Sequence, residues 1–389
     1  MVKISLNKIP SGNIYLKLDK KLIDSIFNII NKSNTILPES IKSQLYRMNL
    51  GKKTSLSFIK NFSLNMDIPL EEFEKNTILI TSIKSTNVGI KEPKIPIDFA
   101  TKEGVRFIAS VMGDGELNKQ LNIRYNNQSR KLIDIILNSA KKIFGDIDFK
   151  LYYRKDKTYQ LHFPKIAGII VSLLGIKPGY KSKNNYGIPS FIFQLDNKLK
   201  AVFIRQFFND EGNVRLKDRR LQIKQTIECK ASKKEAKSNI MKYAPKSLLG
   251  IQKLLLDLGV DSKISLGMYR NGKIDWELSA YRIENLSKFK ENIGFDLEYK
   301  NKLLGQAIKS YKFPSAARNG RIDFALRCCK KAQENYGFIT KEILAKTSNR
   351  SLKTATYYLV DLKKRKLIKC IEKPKKRDEK SLSHRYIIS

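Results

Sequence analysis

Apolar residues recur along this chain at helical spacing or in strict alternation, and the two rhythms set out its elements. Between residues 101 and 175 they predict helix, two strands, helix, two strands, helix. The first helix is Lys102–Asp114, and Leu121–Tyr125 alternates as a strand. Arg130–Phe144 has apolar positions at helical spacing: Leu132, Ile133, Ile136, Leu137, Ala140 and Phe144. Phe149–Tyr153 and Thr158–Phe163 read as a hairpin, and Pro164–Leu174 closes the unit. Residues 198–294 repeat that order: helix Lys198–Glu211, strands Asn213–Lys217 and Arg220–Cys229, helix Ser247–Leu258, hairpin Ser262–Tyr269 with Ile274–Ala280, helix Ile283–Ile293. Leu121-Asn122-Ile123-Arg124 matches Leu221-Gln222-Ile223-Lys224, 100 residues on, so the halves should differ by one short turn insertion.

The flanks differ from this repeat. Residues 1–95 begin with alternation at Ile14, Leu16 and Leu18 and continue as three helical stretches, Leu22–Ile30, Ser40–Met48 and Thr54–Leu64. They read as a small, mostly helical domain that permits a helix-turn-helix, followed by a linker at Glu92-Pro93-Lys94-Ile95-Pro96. Residues 316–389 read as a winged helix-turn-helix. Its helices are Ile322–Asn335, Lys341–Lys346 capped by Thr340, and Leu352–Lys364 capped by Ser351. Leu352, Ala355, Leu359 and Leu362 form the apolar side of the last helix, and Lys353, Thr356 and Tyr357 its free side. Strands Leu367–Glu372 and Tyr386–Ile388 would flank a basic loop, Lys373–Lys380.

Charge narrows the function. The chain carries 76 Lys+Arg against 37 Asp+Glu, a formal net charge of +39. Every part is basic, residues 313–389 most densely, so several domains are suited to a polyanion, although a lysine-rich proteome would bias composition the same way. Four cysteines without a CxxC pair and only two histidines, His162 and His384, argue against a zinc site and against histidine-based nuclease chemistry. No signal peptide or membrane span is apparent, and an intracellular, soluble protein is expected.

Each repeat opens on an apolar helix that ends in acid-glycine: Phe107-Ile108-Ala109-Ser110-Val111-Met112-Gly113-Asp114-Gly115 and Ile204-Arg205-Gln206-Phe207-Phe208-Asn209-Asp210-Glu211-Gly212. A carboxylate at a helix C-terminus adds to the negative end of the dipole and favours a cation there. The glycines suit left-handed caps. Two such helices side by side would hold hard cations such as Mg2+ or Mn2+ between Asp114, Glu211, water and phosphate oxygens. Ala109 and Gly113 provide small residues for close helix contact; Gln206 and Asp210, at the matching positions, are larger and polar.

This duplicated motif resembles the LAGLIDADG homing endonucleases over roughly residues 100–312. The resemblance implies an α+β fold of two αββαββα repeats, residues 100–180 and 197–312, with saddle-like antiparallel sheets lying in the DNA major groove. It implies a monomer with pseudo-two-fold symmetry, metal-binding catalytic acids at Asp114 and Glu211, and double-strand breaks at a long site. Polar groups near the scissile phosphates would be Gln225, Asn126 and Lys300. Base readout would come from alternate strand residues, Asn122, Arg124, Gln222 and Lys224, with Arg215 and the Lys353, Thr356 and Tyr357 face as further DNA contacts. No splicing nucleophile stands at residue 1 and no His-Asn at the end, so a separate gene product, or one excised from its host, is expected. Two alternatives stay open: a DNA-binding regulator on a retired nuclease frame, and an RNA-binding intron maturase in which aromatics such as Tyr152 and Tyr153 stack on bases.

Overall fold

A computed structural model describes residues 2–33, 37–229, 231–270, 272–311, 320–372 and 384–389. The chain forms two compact units, Met1–Tyr281 with Asn285–Gly305, and Arg282–Glu284 with Gln306–Ser389. It mixes helices with antiparallel sheets. No helix among the described residues is long and apolar enough to cross a membrane.

In the larger unit two helices that end in acid-glycine lie against each other. The first motif helix, Lys102–Met112, starts where the Thr101 hydroxyl accepts from Gly104 N at 3.1 Å. The second, Asn197–Asp210, starts where Asp196 accepts from Leu199 N at 2.8 Å. Both are buried nearly all round (Phe107, Ile108, Ala109, Val111; Phe203, Ile204, Phe207, Phe208), which is what a helix packed between two layers needs.

Each motif helix runs into a four-stranded antiparallel sheet. The first sheet uses Gly115–Leu117, Ile123–Asn127, Lys150–Tyr153 and Tyr159–His162; the second uses Gly212–Arg215, Arg220–Glu228, Lys263–Arg270 and Lys273–Tyr281. The strand order is first, second, fourth, third in both. One face of each sheet is covered by helices, and alternation puts Ile123 and Tyr125, or Leu221 and Ile223, on that face. Between second strand and following helix the first half has only Gln128–Ser129, whereas the second has residues 229–245, with short helices Lys233–Ser238 and Ile240–Tyr243. That is more than the short turn insertion expected.

The N-terminal segment is a correction. It carries the expected helices Lys20–Ser33, Glu39–Asn49 and Leu56–Asn65, but they surround a five-stranded sheet, ordered Thr54–Ser55, Tyr15–Leu18, Thr77–Thr81, Ile90–Lys91, Asp146–Ile147. The last strand comes from the first repeat, and Lys3–Ile4 pairs with Ile97–Asp98. Nor is Glu92–Pro96 a free linker: Pro93 is buried and Lys94 N donates to Phe144 O at 2.9 Å. A Cβ at Gly145 would stand 2.4 Å from Glu92 O, and its φ of +106° is itself a glycine conformation.

The smaller unit packs helices Arg321–Tyr336, Lys341–Ser348 and Leu352–Lys364 around Ala325, Cys329, Leu344, Ala355, Leu359 and Leu362. A hairpin of Ile368–Glu372 with Arg385–Ile388 follows. Thr340 accepts from Ile343 N and Ser351 from Thr354 N, each at 3.2 Å, so both expected caps form. Leu352 is exposed rather than core; Tyr358 takes that buried place. The basic loop Lys373–Lys380 lies outside the described residues.

Candidate active site

The ends of the motif helices meet at Gly113 and Asp210. A Cβ on Gly113 would lie 2.6 Å from Asp210 Oδ2 and 2.8 Å from its Cβ, so only glycine fits opposite this aspartate. Asp210 Oδ1 accepts from Tyr125 Oη at 2.7 Å and from Gln206 Nε2 at 3.0 Å. The first of these ties the first sheet to the second motif helix. Burial, and then the Asp114 charge, hold the Asp210 carboxyl well above the usual range. Gly115 and Gly212 are not left-handed caps. They are glycines because the chain doubles back onto the last turn, where a Cβ would meet Ser110 O or Phe208 O at 2.6 Å.

Asp114 and Glu211 open onto separate cavities. Asp114 lines one of 510 Å³ with Asn127, Tyr299 and Lys300; Glu211 lines one of 210 Å³ with Lys181, Lys224, Gln225 and Ser247. Asn127 Nδ2 donates to Asp114 Oδ2 at 2.6 Å. Gln225 Oε1 accepts from Ser247 Oγ at 2.7 Å. The ladders explain the match between Asn127 and Gln225. Gly115 pairs with Tyr125 and Gly212 with Ile223, so each amide follows its glycine's partner by two residues. Asn126, the residue expected from sequence, lies on the opposite face and accepts from Gln160 Nε2 at 2.8 Å.

Two lysines sit on the helix ends. Lys300 Nζ donates to Phe208 O at 3.0 Å, Asn209 O at 2.6 Å and Gly212 O at 2.7 Å. It lies inside the helix Glu298–Lys309. Lys181 Nζ donates to Gly113 O. Both ammonium groups thus meet carbonyls at the negative end of a motif helix. Sequence reasoning missed Lys181, which lies in a connector without periodicity. The available signal was a repeat: Gly175 and Tyr180-Lys181-Ser182-Lys183 recur at the same spacing as Gly294 and Tyr299-Lys300-Asn301-Lys302.

The electrostatics of the cleft are dominated by desolvation. Burial raises the Asp114 carboxyl, against Lys181, Asn127 and Lys300. It raises that of Glu211 too, with Asp114 adding to the rise and Lys181 and Lys300 opposing it. The same burial lowers Lys181, and lowers Lys300 to about 8. Every charged form here is short of solvent. A divalent cation suits the two acids: they are hard oxygen donors, each opening to a cavity. No group of three or more His, Cys, Asp or Glu side chains able to hold a metal occurs among the described residues, so water and phosphate would have to complete the coordination shell.

The remaining candidates are scattered. Arg124 pairs with Glu116 at 3.4 Å, and Asn122 is half-buried beside it. Lys224 is exposed, while Gln222 is buried between Asn213 and Ser279 in the ladder and is not free for readout in this state. Arg215 pairs with Asp218 at 3.1 Å. In the smaller unit Lys353, Thr356 and Tyr357 are exposed on Leu352–Lys364.

No family model matches the chain. Among curated proteins, a probable translation initiation factor IF-2 of Methanocaldococcus jannaschii is 27% identical over 233 residues, 57% of this chain and 18% of that protein. The replication factor C small subunit of the same organism is 27% identical over 211 residues, 54% of this chain and 10% of that protein. The chain thus spans less than a fifth of these relatives. Among solved structures, mesophilic variants of the homing endonuclease I-DmoI give a TM-score of 0.36 at 16% identity, covering 54% of this chain and 99% of theirs. I-DmoI with DNA and Mn gives 0.34 at 16%, covering 51% and 98%. Full-length DUF199/WhiA from Thermatoga maritima gives 0.35 at 16%, covering 69% and 93%. These likenesses are weak.

Proposed function

We propose that the chain is a monomeric, site-specific DNA endonuclease of the LAGLIDADG type, cutting both strands with a divalent metal. The observation that carries this is the duplication of one set of groups: an acid, an amide and a lysine in each cavity, Asp114 with Asn127 and Lys300, Glu211 with Gln225 and Lys181. Two equivalent sets fit two strands of one duplex. Asp114 and Glu211 would hold Mg2+ or Mn2+, which when bound supplies Lewis acidity and a lowered water pKa. Asn127 and Gln225 orient the attacking water by hydrogen bonding. Lys300, at about 8, is poised to share a proton near neutral pH, and both lysines offset charge gathering on the phosphate.

The curated relatives support an independently travelling segment. Their printed functions, translation initiation and replication, have nothing in common, yet each matches over half of this chain and a small part of itself. Such a segment need share no function with its surroundings.

One observation favours a second reading, DNA binding without cleavage. Lys181 and Lys300 already balance the two acids, so the cleft does not need a metal to be neutral. Incubating the full chain with a random duplex library and with its own flanking locus, in Mg2+ and in EDTA, separates the two. Metal-dependent cutting lost in Asp114→Asn and Glu211→Gln is expected; selective binding without cutting, unchanged in both variants, would refute the nuclease. Preferential retention of RNA would instead favour a maturase.

A further inference from the structure

The two halves are unequal in a way the motif does not announce. Strands of the first sheet have three, five, four and four residues; those of the second have four, nine, eight and nine. The central pairing of the second sheet runs without a break over nine positions, Arg220–Glu228 against Lys273–Tyr281, where the first sheet's pairs at four. At about 3.3 Å per residue, nine residues extend about 30 Å and five about 16 Å. Along B-DNA, at about 3.4 Å per base pair, that is a reach of about nine base pairs against about five.

The open face of the long sheet is equipped for a duplex along its length. Lys224, beside the Glu211 cavity, and Lys263, farther out, are exposed on it, and Arg220 lies at its turn end, paired with Arg215. Two of its acids are engaged within the sheet: Glu277 accepts from Arg220 at 2.7 Å and from Ser279 at 2.6 Å, and Asp275 accepts from Thr226 at 2.6 Å, while Glu228 is exposed at the far end. The second half alone carries the insertion 229–245, which packs on the outer strand Lys263–Arg270 and exposes Lys233, Lys234, Lys237 and Lys242. Nothing equivalent lengthens the first half. The N-terminal segment joins it on the helix side, through Phe144 and the strand Asp146–Ile147, and leaves the open sheet face unextended.

We infer that the DNA partner is held asymmetrically: the second half is the anchor, gripping a duplex arm about twice as long as that held by the first, and supplying most of the affinity. This rests on the DNA-binding reading above. It implies that after a cut the protein stays on the long-arm product, and that changes at the outer end of the short arm are tolerated.

The test uses the full chain and a duplex enriched from a random library in Ca2+. Hydroxyl-radical footprinting should show protection extending about twice as far on one side of the centre. Trimming the outer base pairs of that arm should weaken binding on the order of a hundredfold, and trimming the other arm only a few-fold. Lys263→Ala should lose protection on the long arm, and Arg124→Ala on the short one. Equal arms, equal losses on trimming, or long-arm protection that follows Arg124 would overturn the inference while leaving DNA binding intact. Failure to enrich any duplex would overturn the DNA-binding reading itself, and the inference with it.

Discussion

Everything proposed for the site depends on the C-terminal ends of the two side-by-side motif helices meeting at Gly113 and Asp210, and this contact can be tested by exchanging sizes. In Gly113→Ala the new Cβ would stand 2.6 Å from Asp210 Oδ2, 2.8 Å from its Cβ and 3.1 Å from its Cγ. Asp210 cannot swing aside, because Oδ1 is fixed by Tyr125 and Gln206. Overpacking of this kind costs about 1–3 kcal/mol. Asp210→Gly loses both hydrogen bonds and strands the buried Tyr125 hydroxyl and Gln206 amide, at about 1–3 kcal/mol each. Glycine near the helix end adds about 1 kcal/mol, partly offset by removing a buried acid.

In the double variant the new methyl occupies the space the aspartate vacates. The clash disappears, so Gly113→Ala/Asp210→Gly should be no less stable than Asp210→Gly alone, a coupling of about 1–3 kcal/mol. The single tryptophan, Trp276, is fully buried in the second sheet and reports this unit in a urea titration whatever the other unit does. Additivity of the two costs to within about 0.5 kcal/mol would refute the contact, and with it the pairing of the helix ends that carry the two acids.

Three further outcomes follow from named groups. Lys300 titrates at about 8 in the fold against 10.5 ordinarily, so the unfolded chain holds the extra proton between those values and stability should rise with pH across them; Lys300→Met should lack that slope in urea midpoints read at Trp276. Asp114, raised by burial, should behave oppositely: as pH rises above its ordinary value the folded chain loses stability relative to Asp114→Asn, and a variant less stable than wild type at neutral pH would contradict the desolvation argument. Ser351→Ala should cost about 1 kcal/mol of helix stability, seen as faster amide exchange confined to Leu352–Lys364; unchanged exchange would show that the cap contributes nothing there.

What could be found from sequence was what local rhythm determines. Arg130–Phe144 was bounded correctly at both ends because its apolar period is unbroken and Ser129 caps it. The five-stranded N-terminal sheet was not, because its strands are two to five residues long and one comes from Asp146–Ile147, far downstream; pairing at that separation leaves no local trace. The amide beside Asp114 failed for a different reason. Matching the halves at 100 residues preserves every alternation that matching them at 98 does, since a shift of two keeps each side chain on its face. Only the hydrogen-bonded register, Gly115 with Tyr125 and Gly212 with Ile223, separates the two and makes Asn127 the counterpart of Gln225.

Lys181 and Lys300 carry the same argument further. Both stand in one local pattern: Gly175 and Tyr180-Lys181-Ser182-Lys183 recur at the same spacing as Gly294 and Tyr299-Lys300-Asn301-Lys302. Their equivalence is topological: each arrives from the chain that follows its half's closing helix, after nine and eight residues, and each meets carbonyls at the end of a motif helix. The distance from the last regular element is kept to within one residue, and the Tyr-Lys-x-Lys pattern with it, although Lys300 lies inside the helix Glu298–Lys309 and Lys181 in a connector. Such groups are found by comparing the segments that follow the closing helices as closely as the motif helices themselves.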